Sequence, residues 1–135
     1  MEVFLKRLYA LIIDYAIVYV PSFLLGWVLK DFLVGFENKF LLWLREYFIF
    51  ILIFIIYTFF MEYKYRNTIG KNYLRLKVVY DKKNILNILI RAFIKAISIT
   101  AFYGSISVLS GIIMILFNPE MSIHDYIVGS KVCIK

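Results

Sequence analysis

The sequence predicts an all-α membrane protein: a small transmembrane helical bundle of two full spans and a shorter helical hairpin, with a short two-stranded cytoplasmic element. Hydrophobic residues make up 63% of the 135-residue chain, against roughly 45–50% in soluble domains. They come in long runs, of which Phe4 to Leu29 and Tyr47 to Met61 are the clearest. The basic residues are distributed unevenly between the segments that join these runs. At this length we expect a single transmembrane domain over residues 1–135.

The first apolar run contains a carboxylate where lipid is expected. Asp14 falls about ten residues into the span, near the depth of a bilayer midplane. An intramembrane acid is costly and marks a functional site by default. Asp14 is therefore a candidate protonatable group on a cation or proton path. The alternative is a buried hydrogen-bonding residue that pins the first span to Arg91, Lys95 or a tyrosine hydroxyl.

Arg7 precedes Asp14 by one helical repeat on the same face, with the small Ala10 between them. The two charged groups are about 10 Å apart along the helix axis, so a direct salt bridge between them is not expected. We expect Arg7 to pair instead with Glu62, with Asp125 or with a lipid phosphate. A simple role in setting membrane orientation is the alternative.

The distribution of charge predicts the orientation in the membrane. Seven of the sixteen basic residues lie between Lys64 and Lys83, where Asp81 is the single acid. Residues 30–46 carry three basic and three acidic side chains. The positive-inside rule then places residues 63–83 and the N-terminus in the cytoplasm of a multi-pass inner-membrane protein. Anionic lipid headgroups, rather than nucleic acid, are the expected partners of the basic loop from Lys64 to Lys83.

The segment after the second span predicts a loop and a strand. Glu62 closes the span at its cytoplasmic end, and Gly70-Lys71 is interpreted as a turn with a lysine at the membrane surface. Alternation of apolar and polar residues predicts a short strand over Leu74–Val79, and the same pattern recurs over Ser130–Ile134. We expect these two strands to pair, since each alone would leave unpaired amides beside the membrane.

The region from Asn84 to Phe117 allows two interpretations. In one, residues 96–117 cross the membrane once and the tail lies outside, which the length of this charge-free run favours. In the other, the chain turns back near Gly104 and the tail lies in the cytoplasm. Strand pairing requires the second arrangement, in which Arg91 and Lys95 face the interior of the bundle.

Few residues suit catalysis or metal binding. His124 and Cys133 are the only residues of their types and make a poor zinc site, and no nucleophile motif is present, so neither an enzyme, a metal nor a cofactor is expected. His124-Asp125 is a candidate proton relay because histidine titrates near physiological pH. Adjacent side chains usually diverge, however, and a helix-cap or strand-start role for Asp125 is favoured.

Five features occur in a fixed order along the chain: Arg7-x-x-Ala10-x-x-x-Asp14, Glu62 at the end of the second span, Thr68-x-Gly70-Lys71 followed by Leu76-Lys77-Val78-Val79, Arg91, and His124-Asp125-x-x-x-Gly129-Ser130-x-Val132. Together they resemble the RDD family of small integral membrane proteins, over nearly the whole chain. The departures include Ile69 in place of the usual proline and Arg75 in place of a glycine. The resemblance implies that Arg7, Lys71 and Arg91 are the basic residues of the family motifs, and that Asp125 is the second aspartate.

The resemblance implies two classes of function. Some family members are described as sodium–proton antiporters, and others as membrane anchors or partners of proteases. In the first class, the chain exchanges a monovalent cation for protons along a path through Asp14, Glu62, His124 and Asp125. A single copy offers a thin pathway, so a homo-oligomer is then expected. In the second class, the chain is a non-transporting scaffold or regulatory partner of another membrane protein.

Overall fold

The fold is mostly helical, with one small antiparallel strand pair. The computed structural model describes residues 2–32, 39–81, 84–100, 105–118 and 120–134. In chain order the elements within these ranges are α1 (Glu2–Phe32), α2 (Lys39–Tyr65), α3 (Ile69–Tyr73), β1 (Leu76–Tyr80), α4 (Ile85–Thr100), α5 (Ser105–Leu116), α6 (Ile123–Val128) and β2 (Ser130–Ile134).

Helices α1 and α2 contain the two candidate membrane spans, Glu2–Leu29 and Arg45–Tyr65. Each exceeds the roughly 20 apolar residues that a bilayer crossing needs. Only 22% of the most apolar window of each is buried inside the protein. Large apolar side chains such as Phe23, Trp27 and Ile56 therefore face outward. That distribution suits surrounding lipid and differs from the core helix of a soluble protein.

The bundle interior between α1, α2 and α4 combines apolar packing with polar groups. Its apolar part is a cluster of Val18, Phe50, Phe54 and Ala96. Alongside it, the interior-facing stripe of α4 carries buried Arg91, Lys95 and Ser98. Because the outer surface of the bundle is apolar, the polar residues collect inside, where they can bond to one another.

Helices α4 and α5 fold back on each other, in agreement with the hairpin interpretation. The Ser107 hydroxyl donates to the Ser98 carbonyl oxygen at 2.8 Å, although nine residues of continuous helix would separate these residues by about 13 Å. Residues 98 and 107 therefore do not lie on one continuous helix, and α4 packs against α5. The predicted turning point, Gly104, lies outside the described residues.

The predicted pairing of the tail with the middle of the chain is confirmed. Strands β1 and β2 are antiparallel, with Val78 opposite Val132 and Leu76 opposite Ile134. The first strand begins two residues later than predicted. Leu74 caps α3 and Arg75 adopts a left-handed backbone conformation, with a φ of 56°. The alternation at these two residues therefore does not reflect strand structure.

The remaining short elements fix the ends of the strands. The Asn67 side chain accepts from the Val78 amide at 3.0 Å and donates to the Leu76 carbonyl at 2.8 Å, so it completes the free edge of β1. Gly129 ends α6 with a φ of 65°, a conformation that glycine adopts without steric cost. The sequence analysis predicted neither α3 nor α6, and the interpretation of Gly70-Lys71 as a turn was wrong, because both residues lie in α3.

Candidate functional site

Charged side chains from five helices meet inside the bundle. Four are basic and three are acidic, and all are buried or nearly so. We refer to them as the charge cluster, and its members are Arg7, Asp14, Glu62, Lys71, Arg91, Lys95 and Asp125. With every member ionised, the cluster carries one net positive charge.

Arg91 connects two acids of the charge cluster. Its Nε and Nη2 atoms donate to Asp125 Oδ1 at 2.8 and 2.6 Å, while Nη1 bonds to Glu62 Oε1. Both carboxylates are at most 1% exposed, as is Arg91 itself. Since a buried ion is stabilised only by partners of opposite charge and by hydrogen bonds, each member of this triad depends on the others.

Asp125 accepts further hydrogen bonds at the start of α6. Arg7 Nη2 lies 2.5 Å from Asp125 Oδ2, and the Ser122 hydroxyl and backbone amide donate to the same oxygen in a capping box. Burial alone would raise the pKa of Asp125, but the guanidinium of Arg91 and the neighbouring cations hold that pKa well below its usual range. Asp125 is therefore both a helix cap and an ion-pair centre.

Glu62 is held by three donors. Besides Arg91, Lys71 Nζ lies 2.7 Å from its Oε1 and the Tyr80 hydroxyl 2.7 Å from its Oε2. The sequence interpretation placed Lys71 at the membrane surface, but its side chain is buried. Burial, together with the nearby Arg91 charge, lowers the pKa of Lys71 to about 7.

Asp14 is bonded differently on its two oxygens. Oδ1 accepts from the Tyr57 hydroxyl at 2.8 Å and from the Gly70 amide at 3.0 Å. Oδ2 has no hydrogen-bond partner within the described part of the chain. Lys95 Nζ lies 3.8 Å from it, within ion-pair range but beyond a hydrogen bond. Asp14 is thus the one carboxylate of the charge cluster with a buried oxygen left over.

The Gly70 amide reaches Asp14 because α3 lies directly against α1. A Cβ atom on Gly70 would be 2.2 Å from the Ala10 carbonyl oxygen. Only a residue without a side chain allows this approach. The small Ala10 between Arg7 and Asp14 contributes to the same contact, because its own side chain is almost fully buried there.

A cavity of about 110 Å³ adjoins Asp14 and Lys95. It lies between α1, α4 and α5, and four serines contribute to its otherwise mostly apolar wall: Ser98, Ser107, Ser110 and Ser122. A cavity of this volume has room for several water molecules. Asp14 therefore adjoins an internal space that is mostly apolar but contains serine and charged side chains.

A family model for the RDD family matches residues 2–129. The chain belongs to the RDD family. Neither a curated protein nor a solved structure matches it significantly. The matched residues include both candidate spans, all members of the charge cluster and the lining of the cavity. The whole candidate site therefore lies in the part of the chain that matches the family.

The structure of this RDD protein brings together most of the residues that its sequence singled out. Arg7 pairs with Asp125, one of its expected partners, and not with Asp14. Arg91 and Lys95 face the bundle interior, as predicted. His124 lies against the Ser122 hydroxyl, 2.9 Å from its Nε2.

His124 is poorly suited to a relay at neutral pH. Burial lowers the pKa of His124 to about 3, with Asp125 acting in the opposite direction and Arg91 in the same direction as burial. The imidazole of this RDD protein is therefore uncharged near pH 7. As a neutral ring it can still donate one hydrogen bond to the Ser122 hydroxyl, which gives its own proton to Asp125.

Sequence analysis offered a tyrosine hydroxyl as a partner of Asp14 without naming Tyr57, and it missed the neutral partners of Glu62 and Asp125 in this RDD protein. Tyr57 bonds to Asp14, Tyr80 bonds to Glu62, and Ser122 caps Asp125. The available signals were weak. Tyr57 is a hydroxyl in a run otherwise rich in phenylalanine and isoleucine, and Ser122 stands three residues before an acid, the spacing of a capping box.

Proposed function

We propose that this RDD protein exchanges a monovalent cation for a proton across the membrane, with Asp14 as the carboxylate that binds each in turn. One observation carries the proposal: Asp14 Oδ2 is buried and lacks a hydrogen-bond partner among the described residues, and Asp14 lines an internal cavity whose wall includes serine side chains. The other carboxylates of the charge cluster are occupied by ion pairs. A buried carboxylate oxygen without a hydrogen-bond partner is suited to bind a transported ion. The proposed activity is not enzymatic.

The proposed exchange is one cation for one proton at the same oxygen. When the cation binds Asp14, the carboxylate gives up its proton, and when the cation leaves, the carboxylate takes a proton up again. The hydroxyls of Ser98 and Ser107 donate to backbone carbonyls, which leaves their oxygen lone pairs for a cation. Oxygen ligands of this kind suit hard monovalent ions.

In the proposed exchange, the Lys95 ammonium group competes with the cation for Asp14. Its ammonium group lies 3.8 Å from the oxygen that we assign to the cation. An incoming cation therefore has to displace it, which disfavours a cation that stays bound. In this proposal the remaining members of the charge cluster, including Glu62 and Asp125, fix the relative positions of the helices that carry Asp14 and Lys95. A scaffold without transport is the second candidate, and the complete pairing of Glu62 and Asp125 favours it.

Ion flux separates the two candidates. In proteoliposomes with a pH gradient, we expect coupled cation and proton flux for the wild type and none for Asp14→Asn. Asparagine retains an Oδ1 acceptor for Tyr57 and Gly70 but cannot titrate. Glu2→Gln is the matched control, because Glu2 is an exposed acid on the same helix and its removal should leave flux unchanged. Absence of wild-type flux, or full flux in a folded Asp14→Asn variant, would reject the exchanger in favour of the scaffold.

We also propose that the N-terminus, residues 63–83 and the tail face the cytoplasm, with the exposed basic side chains of this surface against anionic headgroups. Lys64, Arg66, Arg75 and Lys77 are all exposed. In a Cys133→Ser background, a membrane-impermeant thiol reagent added outside should label Asn38→Cys but not Lys77→Cys. External labelling at position 77 but not at position 38 contradicts this orientation. Cross-linking in the same membranes tests the homo-oligomer that the exchanger implies.

A further inference from the structure

A second concave surface lies away from the charge cluster. It is a groove of about 460 Å³ between α1, α2 and the end of α4. Its apolar wall is formed by aromatic side chains four residues apart on α1, which we call the aromatic stripe: Tyr15, Tyr19, Phe23 and Trp27. Successive rings stack at centroid distances of 6.1 Å for Tyr15 with Tyr19 and 6.3 Å for Tyr19 with Phe23. Phe50 of α2 continues this wall, 5.0 Å from the Tyr15 ring.

The groove has a cation at its α2 side. Arg45 lines it, and the Nε and Nη1 atoms of Arg45 are buried without a hydrogen-bond partner anywhere in the described chain. No carboxylate in that part of the chain pairs with Arg45. The neighbouring Glu46 also lines the groove, but it is exposed and forms no ion pair with Arg45. A guanidinium with two buried, unbonded N–H groups is unfavourable unless an anion accepts from them.

The dimensions of the groove suit a lipid. From Tyr15 to Trp27 the aromatic stripe extends about 18 Å along the helix axis, close to the roughly 15 Å of hydrocarbon in one leaflet. Phe23 and Trp27 are 63% and 69% exposed, so the described residues leave this end of the stripe uncovered. Arg45 begins the second candidate span, which is the level at which a headgroup meets hydrocarbon.

We propose that this groove binds one anionic phospholipid, with its phosphate on Arg45 and an acyl chain along the aromatic stripe. The Nε–H and Nη1–H groups of Arg45 point to different sides of the guanidinium, and a phosphate accepts a charge-assisted hydrogen bond from either. An acyl chain covers aromatic surface that would otherwise contact disordered lipid only transiently. The site is distinct from the Asp14 cavity, so it does not depend on ion exchange.

Trp27 reports directly on the occupant. The chain contains two tryptophans, so a Trp43→Phe background leaves Trp27 as the only indole. The purified full chain is reconstituted in phosphatidylcholine with increasing dibrominated phosphatidylglycerol, and quenching of Trp27 gives a relative association constant. Dibrominated phosphatidylcholine provides the neutral comparison. We expect the anionic lipid to be preferred by about tenfold, as for charge-assisted bonds to a buried guanidinium.

Substitutions at Arg45 identify the origin of this preference. Arg45→Gln should reduce the preference for the anionic lipid to about twofold or less. Arg45→Lys should leave an intermediate value, because lysine retains the charge but has a single donor nitrogen. Lys64→Gln removes an exposed cation elsewhere on α2 and should leave the preference unchanged. Circular dichroism checks that each variant is folded.

Three outcomes would overturn the proposal. One is equal quenching by the two lipids in the wild type, or an undiminished preference in a folded Arg45→Gln variant. Another is protection of Trp27 from both lipids, which would mean that another segment of the chain or a second copy fills the groove. The third is displacement of the brominated anionic lipid by inorganic phosphate, which would assign Arg45 to a free anion.

Discussion

Arg91→Met is expected to lower the free energy of unfolding by about 3–5 kcal/mol, the cost of leaving a buried charge without its partner. Methionine fills much of the volume of arginine but donates no hydrogen bond. Glu62 would keep Lys71 and Tyr80, and Asp125 would keep Arg7 and Ser122. Each carboxylate would nevertheless lose one of its ion pairs inside the bundle. Unfolding in mixed micelles titrated with dodecyl sulfate, followed by circular dichroism, measures the change.

Two further variants show whether the stability lost in Arg91→Met comes from the buried ion pairs. Arg91→Lys keeps the charge but cannot bond to Glu62 and Asp125 in the same way, so its stability should fall between wild type and Arg91→Met. Lys64→Met removes an exposed cation and should change stability by no more than about 0.5 kcal/mol. If Arg91→Met were as stable as Lys64→Met, water would have to solvate the charge cluster, contrary to its observed burial.

Gly70→Ala is expected to lower the free energy of unfolding by about 3 kcal/mol, from overpacking and the loss of a charge-assisted hydrogen bond. The new Cβ atom would lie 2.2 Å from the Ala10 carbonyl oxygen, a contact with backbone that no rotamer change relieves. Helix α3 would have to move away from α1. The Gly70 amide would then lose Asp14, and with it the position of the proposed ion-binding oxygen would change.

Gly26→Ala is the matched control for this substitution. A Cβ atom on Gly26 would meet nothing within 4 Å, and alanine is the better helix former by about 1 kcal/mol. Stability should therefore stay the same or rise slightly. Thermal unfolding midpoints in one detergent compare the two variants. A midpoint for Gly70→Ala as high as that for Gly26→Ala would contradict the close contact between α3 and α1.

The elements that could be predicted from the sequence depend on local patterns. The two apolar runs that became α1 and α2 are defined by hydropathy alone. The strand pair followed from alternation in two short segments together with the cost of unpaired amides. The five residues of α3 were missed because such a short helix has no periodicity to detect. Its end was also misleading, since Leu74 and Arg75 continue the alternation of β1 while their backbone turns.

The charge cluster shows where sequence reasoning stops. Spacing along one helix excluded a bridge between Arg7 and Asp14, because the axial distance is fixed by helix geometry. Spacing could not decide whether Arg7 pairs with Glu62, Asp125 or a lipid phosphate, since its observed partner Asp125 is 118 positions away. Such choices depend on how helices pack, and therefore on many contacts at once. The same holds for Lys71, whose burial beside Glu62 follows from the approach of α3 to α1.

The position of Asp125 in the chain has a consequence for biosynthesis. Arg7 is synthesised with the first helix and Arg91 with the fourth, but the aspartate that joins them follows all of the longer helices. Until that residue leaves the ribosome, the nascent chain holds two arginines that lack their shared counterion, and β1 lacks its partner strand. The early arginine can extend to lipid phosphates meanwhile. Closure of the bundle around Asp125 therefore requires that α1 to α5 have already been synthesised, and α6 and β2 join it after them.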